Sequence, residues 1–224
     1  MRIHTRVVGR SIEGEAIRAH LRAGGSKTTI LVFGGFHGDE PKSVFVARRL
    51  LALFGADATA GRNASWVIVP VVNPDGYLRR RRRNARGVDI NRNFPTFNWR
   101  RTSPRSRMFG GESPGSEPEA KAVIRLVERF APSLIVTVHS ISENRYCNNY
   151  DGPGRAPAEA MGQRNGYPVR ATIGYPTPGS FGTWAGAERG IATITLELPS
   201  HHSSKRCWED NREALLSCSG QPPG

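Results

Sequence analysis

Residues 31–41 read LVFGGFHGDEP. The apolar part belongs to a longer run, TTILVFGGF over 28–36. It shows no polar alternation, as expected of a strand covered on both faces. Two glycines end the run. His37 and Glu40 then follow three residues apart, directly before Pro41. Pro41 suits the first turn of a helix through SVFVARRLLALF, 43–54. A buried strand that leads through a short polar turn into a helix is half of an α/β unit.

Outward from this stretch the pattern repeats. The segment 15–23 reads as an edge strand. Residues 65–72 read as a buried strand, with Pro70 marking a bulge or an end. Residues 133–140 and 191–198 read as two more buried strands. Helices are predicted over 116–130, opened by a Ser116/Glu119 capping box, over 180–190, ended by Gly190, and over 205–218. The long segment 73–116, rich in Arg, Asn, Gly, Pro and Ser, reads as a functional loop region. The last residues, SGQPPG, read as a frayed tail. This alternation predicts an α/β three-layer sandwich around a central, mostly parallel mixed sheet. With 224 residues, 38% of them hydrophobic, one domain over 1–224 is expected.

The formal net charge is +13, and with only four lysines nearly all the positive charge is arginine. It reads either as solvated surface or as a field that draws anionic partners. Cys147, Cys207 and Cys218 form no CxxC pair, which suits a reducing compartment. No apolar run approaches a membrane span and the first residues lack a signal pattern, so no membrane partner and a cytoplasmic location are expected.

In sheets of this kind, ligands bind beyond the carboxyl ends of the strands. The polar residues there are His37 and Glu40, Asn73 and Asp75, His139, and Glu197. His and Glu on one tight turn can converge on a metal ion. Zinc accepts imidazole nitrogen and carboxylate oxygen, and a catalytic site uses three protein ligands. His139, ending the run LIVTV, is the best third ligand. Glu197, among apolar neighbours in TITLELP, reads as an arginine-paired carboxylate or as a general base that activates water. The cost of burying a carboxylate favours the second. Within NPDGYLRRRRRNARGVDINRNFP, 73–95, the run Arg79–Arg83 admits a nucleic-acid patch. It comes without a reading element or stacking aromatics. Asn91 and Arg92 can clamp a substrate carboxylate, and one further arginine can stabilise an oxyanion.

Taken in order, HGDE, NPDG, RGVDINRNFP, VH, GYPTPGSFGTW and ITLELP resemble the zinc carboxypeptidases (the M14 metallopeptidases). The likeness is greatest to the short bacterial murein peptide amidase branch and spans roughly residues 8–200. The resemblance implies a zinc carboxypeptidase-like sandwich with one zinc ion on His37, Glu40 and His139. It implies that Asp89 orients His37 and that Glu197 is the base. Arg82 would be the oxyanion arginine, with Arg81 and Arg83 as alternatives in a blurred register. Asn91 and Arg92 would bind a terminal carboxylate, and Tyr175 would close over substrate.

The implied substrate is a small anionic peptide with a free carboxylate, L-Ala-γ-D-Glu-meso-diaminopimelate. Its γ-D-Glu–diaminopimelate bond would be cut in cell-wall recycling. The sequence departs from the larger digestive enzymes at Asp39, where they carry Arg. It also departs at Gly182, whose counterpart lies at the floor of their specificity pocket. The loop HSISENRYCNNYDGP, bordering the cleft, departs from the amidase branch. Three other readings stay open: a carboxypeptidase for ordinary peptides, a deacylase resembling aspartoacylase and succinylglutamate desuccinylase, and an arginine-rich nucleic-acid binder that needs no zinc.

Overall fold

The structure is a computed structural model and describes residues 2–142 and 144–220. Most of the tail predicted to fray, 221–224, lies outside the described residues. Among the described residues eight strands form one sheet. They are β1 (Ile3–Arg10), β2 (Ala16–Arg22), β3 (Thr29–Phe33), β4 (Ser65–Val69), β5 (Leu134–Ile141), β6 (Cys147–Asp151), β7 (Val169–Arg170) and β8 (Ala192–Pro199). Their spatial order is β1-β2-β4-β3-β5-β8-β6-β7. The centre, β4-β3-β5-β8, is parallel. β2 and β6 flank it antiparallel, and β1 and β7 form the edges. The helices are α1 (Pro41–Ala56), α2 (Pro74–Arg79), α3 (Pro118–Phe130), α4 (Arg155–Asn165) and α5 (Ser204–Ser217).

Successive side chains on a strand point to opposite faces, and the core divides accordingly. Ile30, Val32, Trp66, Ile68, Val136, Val138 and Leu196 join Leu50 and Phe54 of α1, Met161 of α4 and Leu215 of α5 on one face. Leu31, Phe33, Val67, Val69 and Ile135 join Val123, Leu126 and Val127 of α3 on the other, with Phe36, Phe94, Phe181 and Trp184. These are the three layers of the predicted sandwich. The same alternation decides where the polar residues go. Val138, Leu196 and Leu198 lie in the first core, so His139, Thr195 and Glu197 stand on the second face.

Several expectations change. The segment 15–23 does not form the edge: β2 is paired on both sides, and β1 lies outside it. IHTRVVGR has no apolar run because most of its residues are exposed. The capping box does not form. α3 starts at Pro118 with Glu117 as N-cap and no side-chain cap. Ser116 Oγ instead donates to Glu117 Oε1 at 2.7 Å, and Glu119 turns inward to accept from Asn84 and from the Ile12 N–H. The helix predicted over 180–190 shrinks to a short π-turn, Thr183–Ala187. The region 73–116 contains α2 and a 3₁₀ turn, Ile90–Arg92. β4 stops at Val69, so Pro70 does mark a strand end.

Candidate metal centre and active-site cleft

β3 ends at Phe33, and the chain turns through Gly34–Glu40 into α1. This turn brings His37 and Glu40 together, with His37 Nδ1 2.7 Å from Glu40 Oε1. His139, near the end of β5, meets both: its Nδ1 is 3.2 Å from His37 Nδ1 and 3.1 Å from Glu40 Oε2. All three residues are buried. Their donor atoms lie within 4.8 Å of one another.

The fit to a metal can be judged from hydrogen bonding. His37 Nε2 stands 3.0 Å from Asp89 Oδ1. Donation of the Nε2 proton to that carboxylate leaves Nδ1 with its lone pair toward Glu40 and His139. Two imidazole nitrogens and a carboxylate then converge with no donor among them. That is a donor set zinc accepts. Without an ion, the carboxylates of Glu40 and Asp89 outweigh the burial of His37 and raise its pKa to about 9. His139 moves the other way, because burial lowers it. Burial opposes the charge on Glu40 and Asp89, but the neighbouring cations outweigh it and hold both carboxyls below the usual range.

The turn is braced from behind. Gly38 N–H donates to the Arg82 carbonyl at 3.3 Å, and Asn73 Nδ2 donates to the Phe36 and Arg82 carbonyls. A Cβ at Gly38 would fall 2.0 Å from the backbone of Gly76, so only glycine fits there. Asn73 and Asp75 therefore support the loops. Asn73 caps α2, and Asp75 accepts from Ser11 Oγ and the Glu13 N–H.

The arginine run splits. Arg79 pairs with Glu13, and Arg83 donates to the Pro104 and Ser106 carbonyls. Of the five, Arg82 lines the cleft. Its guanidinium pairs with Asp89 Oδ2 at 3.0 Å and reaches Glu40 Oε1 at 3.4 Å. Those carboxylates outweigh desolvation and raise its pKa.

Glu197 is the direct register partner of His139. It is buried, and burial followed by the negative charge of Glu40 pushes its pKa up to about 8. Asp89 opens the 3₁₀ turn by accepting from the Asn91 N–H, and Asn91 Oδ1 accepts from the Phe181 N–H at 2.9 Å. Arg92 is only 4% exposed. One Nη donates to the Asn91 carbonyl, while its Nε is buried with no partner among the described residues. Tyr175 stands at the rim, 37% exposed, under the Arg145 guanidinium. All the predicted site residues except Asp89 line one cavity of about 550 Å³. Asp89 lies behind it, against His37 and Arg82.

The sequence model for zinc carboxypeptidases matches residues 1–151. Murein peptide amidase A of Escherichia coli (strain K12) is 33% identical over 206 residues, covering 85% of this chain and 79% of that protein. The chain belongs to the zinc carboxypeptidase family. It is an enzyme that hydrolyses peptide or amide bonds. The crystal structure of murein-tripeptide amidase MpaA from Escherichia coli O157 superposes with a TM-score of 0.73 at 28% identity, covering 98% of this chain and 93% of that one. Bovine thrombin-activatable fibrinolysis inhibitor in complex with tick carboxypeptidase inhibitor superposes with a TM-score of 0.80 at 20% identity, covering 97% and 88%, which supports the fold. No helix among the described residues is long and apolar enough to cross a membrane.

Zinc carboxypeptidase motifs drew attention to every residue above. They did not reveal Asn149, Asp151 and Thr195, which also line the cavity. Asn149 pairs in register with Thr195, and Asp151 with Thr193. The signal was present as the polar alternation of TITLE in β8 and of CNNYD in β6. Cys147, the partner of Glu197, is buried, and burial lifts its thiol to about 12.

Proposed function

We propose that this chain is a zinc-dependent amide hydrolase that cuts the γ-D-Glu–meso-diaminopimelate bond of murein tripeptide. One zinc ion is held by His37, Glu40 and His139, and residues 1–224 act as one catalytic domain. The observation that carries the reading is a single cavity holding a buried three-donor group, a buried carboxylate beside it, and a buried guanidinium with an unpaired N–H.

Zinc supplies Lewis acidity there, polarising a carbonyl and acidifying water. The rest falls to the chain. Asp89 keeps the Nε2 proton of His37 and so fixes the ring. Glu197 takes a proton from the attacking water and passes it to the leaving amine nitrogen. Arg82 faces the carbonyl oxygen as negative charge builds on it. Asn91 and Arg92 hold the carboxylate beside the scissile amide, which fixes register. Tyr175 closes over the bound peptide from the rim.

Three observations support the murein substrate: the names of the relatives, a net charge of +13 facing a multiply anionic peptide, and a cavity roomy enough for a long side chain. The separate directions of Arg79, Arg82 and Arg83 speak against a continuous nucleic-acid surface. Free thiols at Cys147, Cys207 and Cys218 favour the cytoplasm. The test is mass-spectrometric detection of free diaminopimelate from synthetic murein tripeptide, with L-peptides ending in Arg, Phe or Glu as competitors. Release of diaminopimelate while the L-peptides survive supports the reading. Trimming of the L-peptides instead assigns the chain to ordinary carboxypeptidases.

A further inference from the structure

The cavity continues past the reacting groups along a polar face of the sheet. Glu197 and Thr195 on β8 lie beside Cys147 and Asn149 on β6, and the row ends at Asp151. Asp151 is four residues from Cys147, about 13 Å along the strand. The Asp151 carboxylate has no hydrogen bond and no ion pair among the described residues. It is half-buried, and burial alone lifts its pKa to about 6. Asn149, only 8% exposed, lines the same cavity, and its Oδ1 is buried without a partner. Two acceptors thus stand together with no donor.

The neighbouring glycines are cut to fit this carboxylate. A Cβ at Gly182 would lie 2.2 Å from Asp151 Oδ2, and one at Gly186 would lie 2.4 Å from Asp151 Cβ. Gly182 has ordinary helical dihedrals (φ −59°, ψ −44°), so glycine serves here to make space and not to reach a special conformation. A desolvated, unpaired carboxylate is costly, and a cation arriving with the ligand offsets that cost.

We propose that Asp151, with Asn149 beside it and Gly182 leaving room, is the subsite for a cationic group at the end of a long side chain on the substrate's terminal residue. This rests on the amidase reading for the identity of that residue, the distal ammonium of diaminopimelate being the group received. Asp151 is a specificity residue and takes no part in the bond cleavage. Its depth beyond the Asn91–Arg92 clamp excludes short side chains.

The experiment compares kcat/KM for the murein tripeptide with that for its 2-aminopimelate analogue, which lacks only the distal ammonium. Wild type prefers the ammonium-bearing tripeptide by about 10- to 100-fold, the scale of one charge-assisted contact. In Asp151→Asn the preference collapses, while the analogue is cleaved as by wild type, which also reports an intact fold. Gly182→Ala, which crowds the carboxylate, erodes the same preference. Equal loss on both substrates, or a preference that survives Asp151→Asn, overturns the proposal. If wild type cleaves neither γ-linked tripeptide, the amidase reading fails by itself. L-peptides ending in Lys and in norleucine then put the same question to Asp151.

Discussion

His139 and Glu197 are direct register partners on adjacent parallel strands. The backbone ladder, and no side-chain contact, therefore holds the Glu197 carboxylate beside the three-donor group. Glu197→Gln keeps shape and register but cannot accept the water proton. Turnover falls by at least about 10²- to 10⁴-fold, while zinc content measured by elemental analysis stays at the wild-type level. Loss of zinc in this variant counts against the role of Glu197 as base.

Glu197 also sets a stability trend in chelator-treated protein. Its pKa is about 8 in the fold against an ordinary value near 4.5. Between those values the folded state retains a proton that the unfolded chain has released. The contribution is complete below about pH 4.5 and is lost as pH rises through about 8. Urea unfolding at pH 5 and pH 8.5 detects it. Wild type loses more stability over that interval than Glu197→Gln, by about 1 kcal/mol or more.

Zinc binding releases protons. The pKa of His37 is raised to about 9 without the ion, so the ring carries a proton at neutral pH that a metal must displace. Calorimetric titration in buffers of different ionisation enthalpy shows about one proton released from His37 at pH 7. The release shrinks as pH rises through about 9. A release independent of pH across that range contradicts the assignment.

Asp89→Asn removes the acceptor that fixes His37 and the partner of Arg82. Zinc affinity measured by chelator competition falls by about 10- to 100-fold, as for other outer partners of metal-bound histidines. Unchanged affinity contradicts the role assigned to Asp89.

Arg92→Lys tests the clamp. Lysine keeps the charge but loses the planar fork and the free Nε–H. For substrates with a free terminal carboxylate, kcat/KM drops by about 10- to 100-fold, corresponding to one bidentate contact. The matching C-terminal amides, already poor substrates, change little. Equal losses on both series point to a structural effect.

The parts of the site that announced themselves in sequence are those where an apolar run ends in an abrupt polar residue. HGDE after β3, His139 in β5 and Glu197 in β8 all follow this rule, because a polar side chain at a strand exit needs a partner. The parts that stayed hidden lack an apolar run. CNNYD is a strand whose cavity-facing positions are polar because they line a binding site, so hydrophobic periodicity misses it. β1 is hidden for the opposite reason, since its exposed residues carry arginine and histidine with no core to mark them. The capping box at Ser116 misled because Asn84 and the Ile12 N–H compete for Glu119. Arg82 could not be separated from its neighbours by spacing, and only the three-dimensional turn selects it.

The packing of Gly38 onto Gly76 also bears on how such enzymes can be recombined. The turn carrying His37 and Glu40 and the loop carrying Arg82 share hydrogen bonds through Gly38 and Asn73 and touch backbone to backbone. They behave as one inherited block. A chimera with a crossover between residues 40 and 73 would mate a turn from one parent with a brace from another. Libraries that keep 34–84 from a single parent should yield active progeny far more often than libraries that split it.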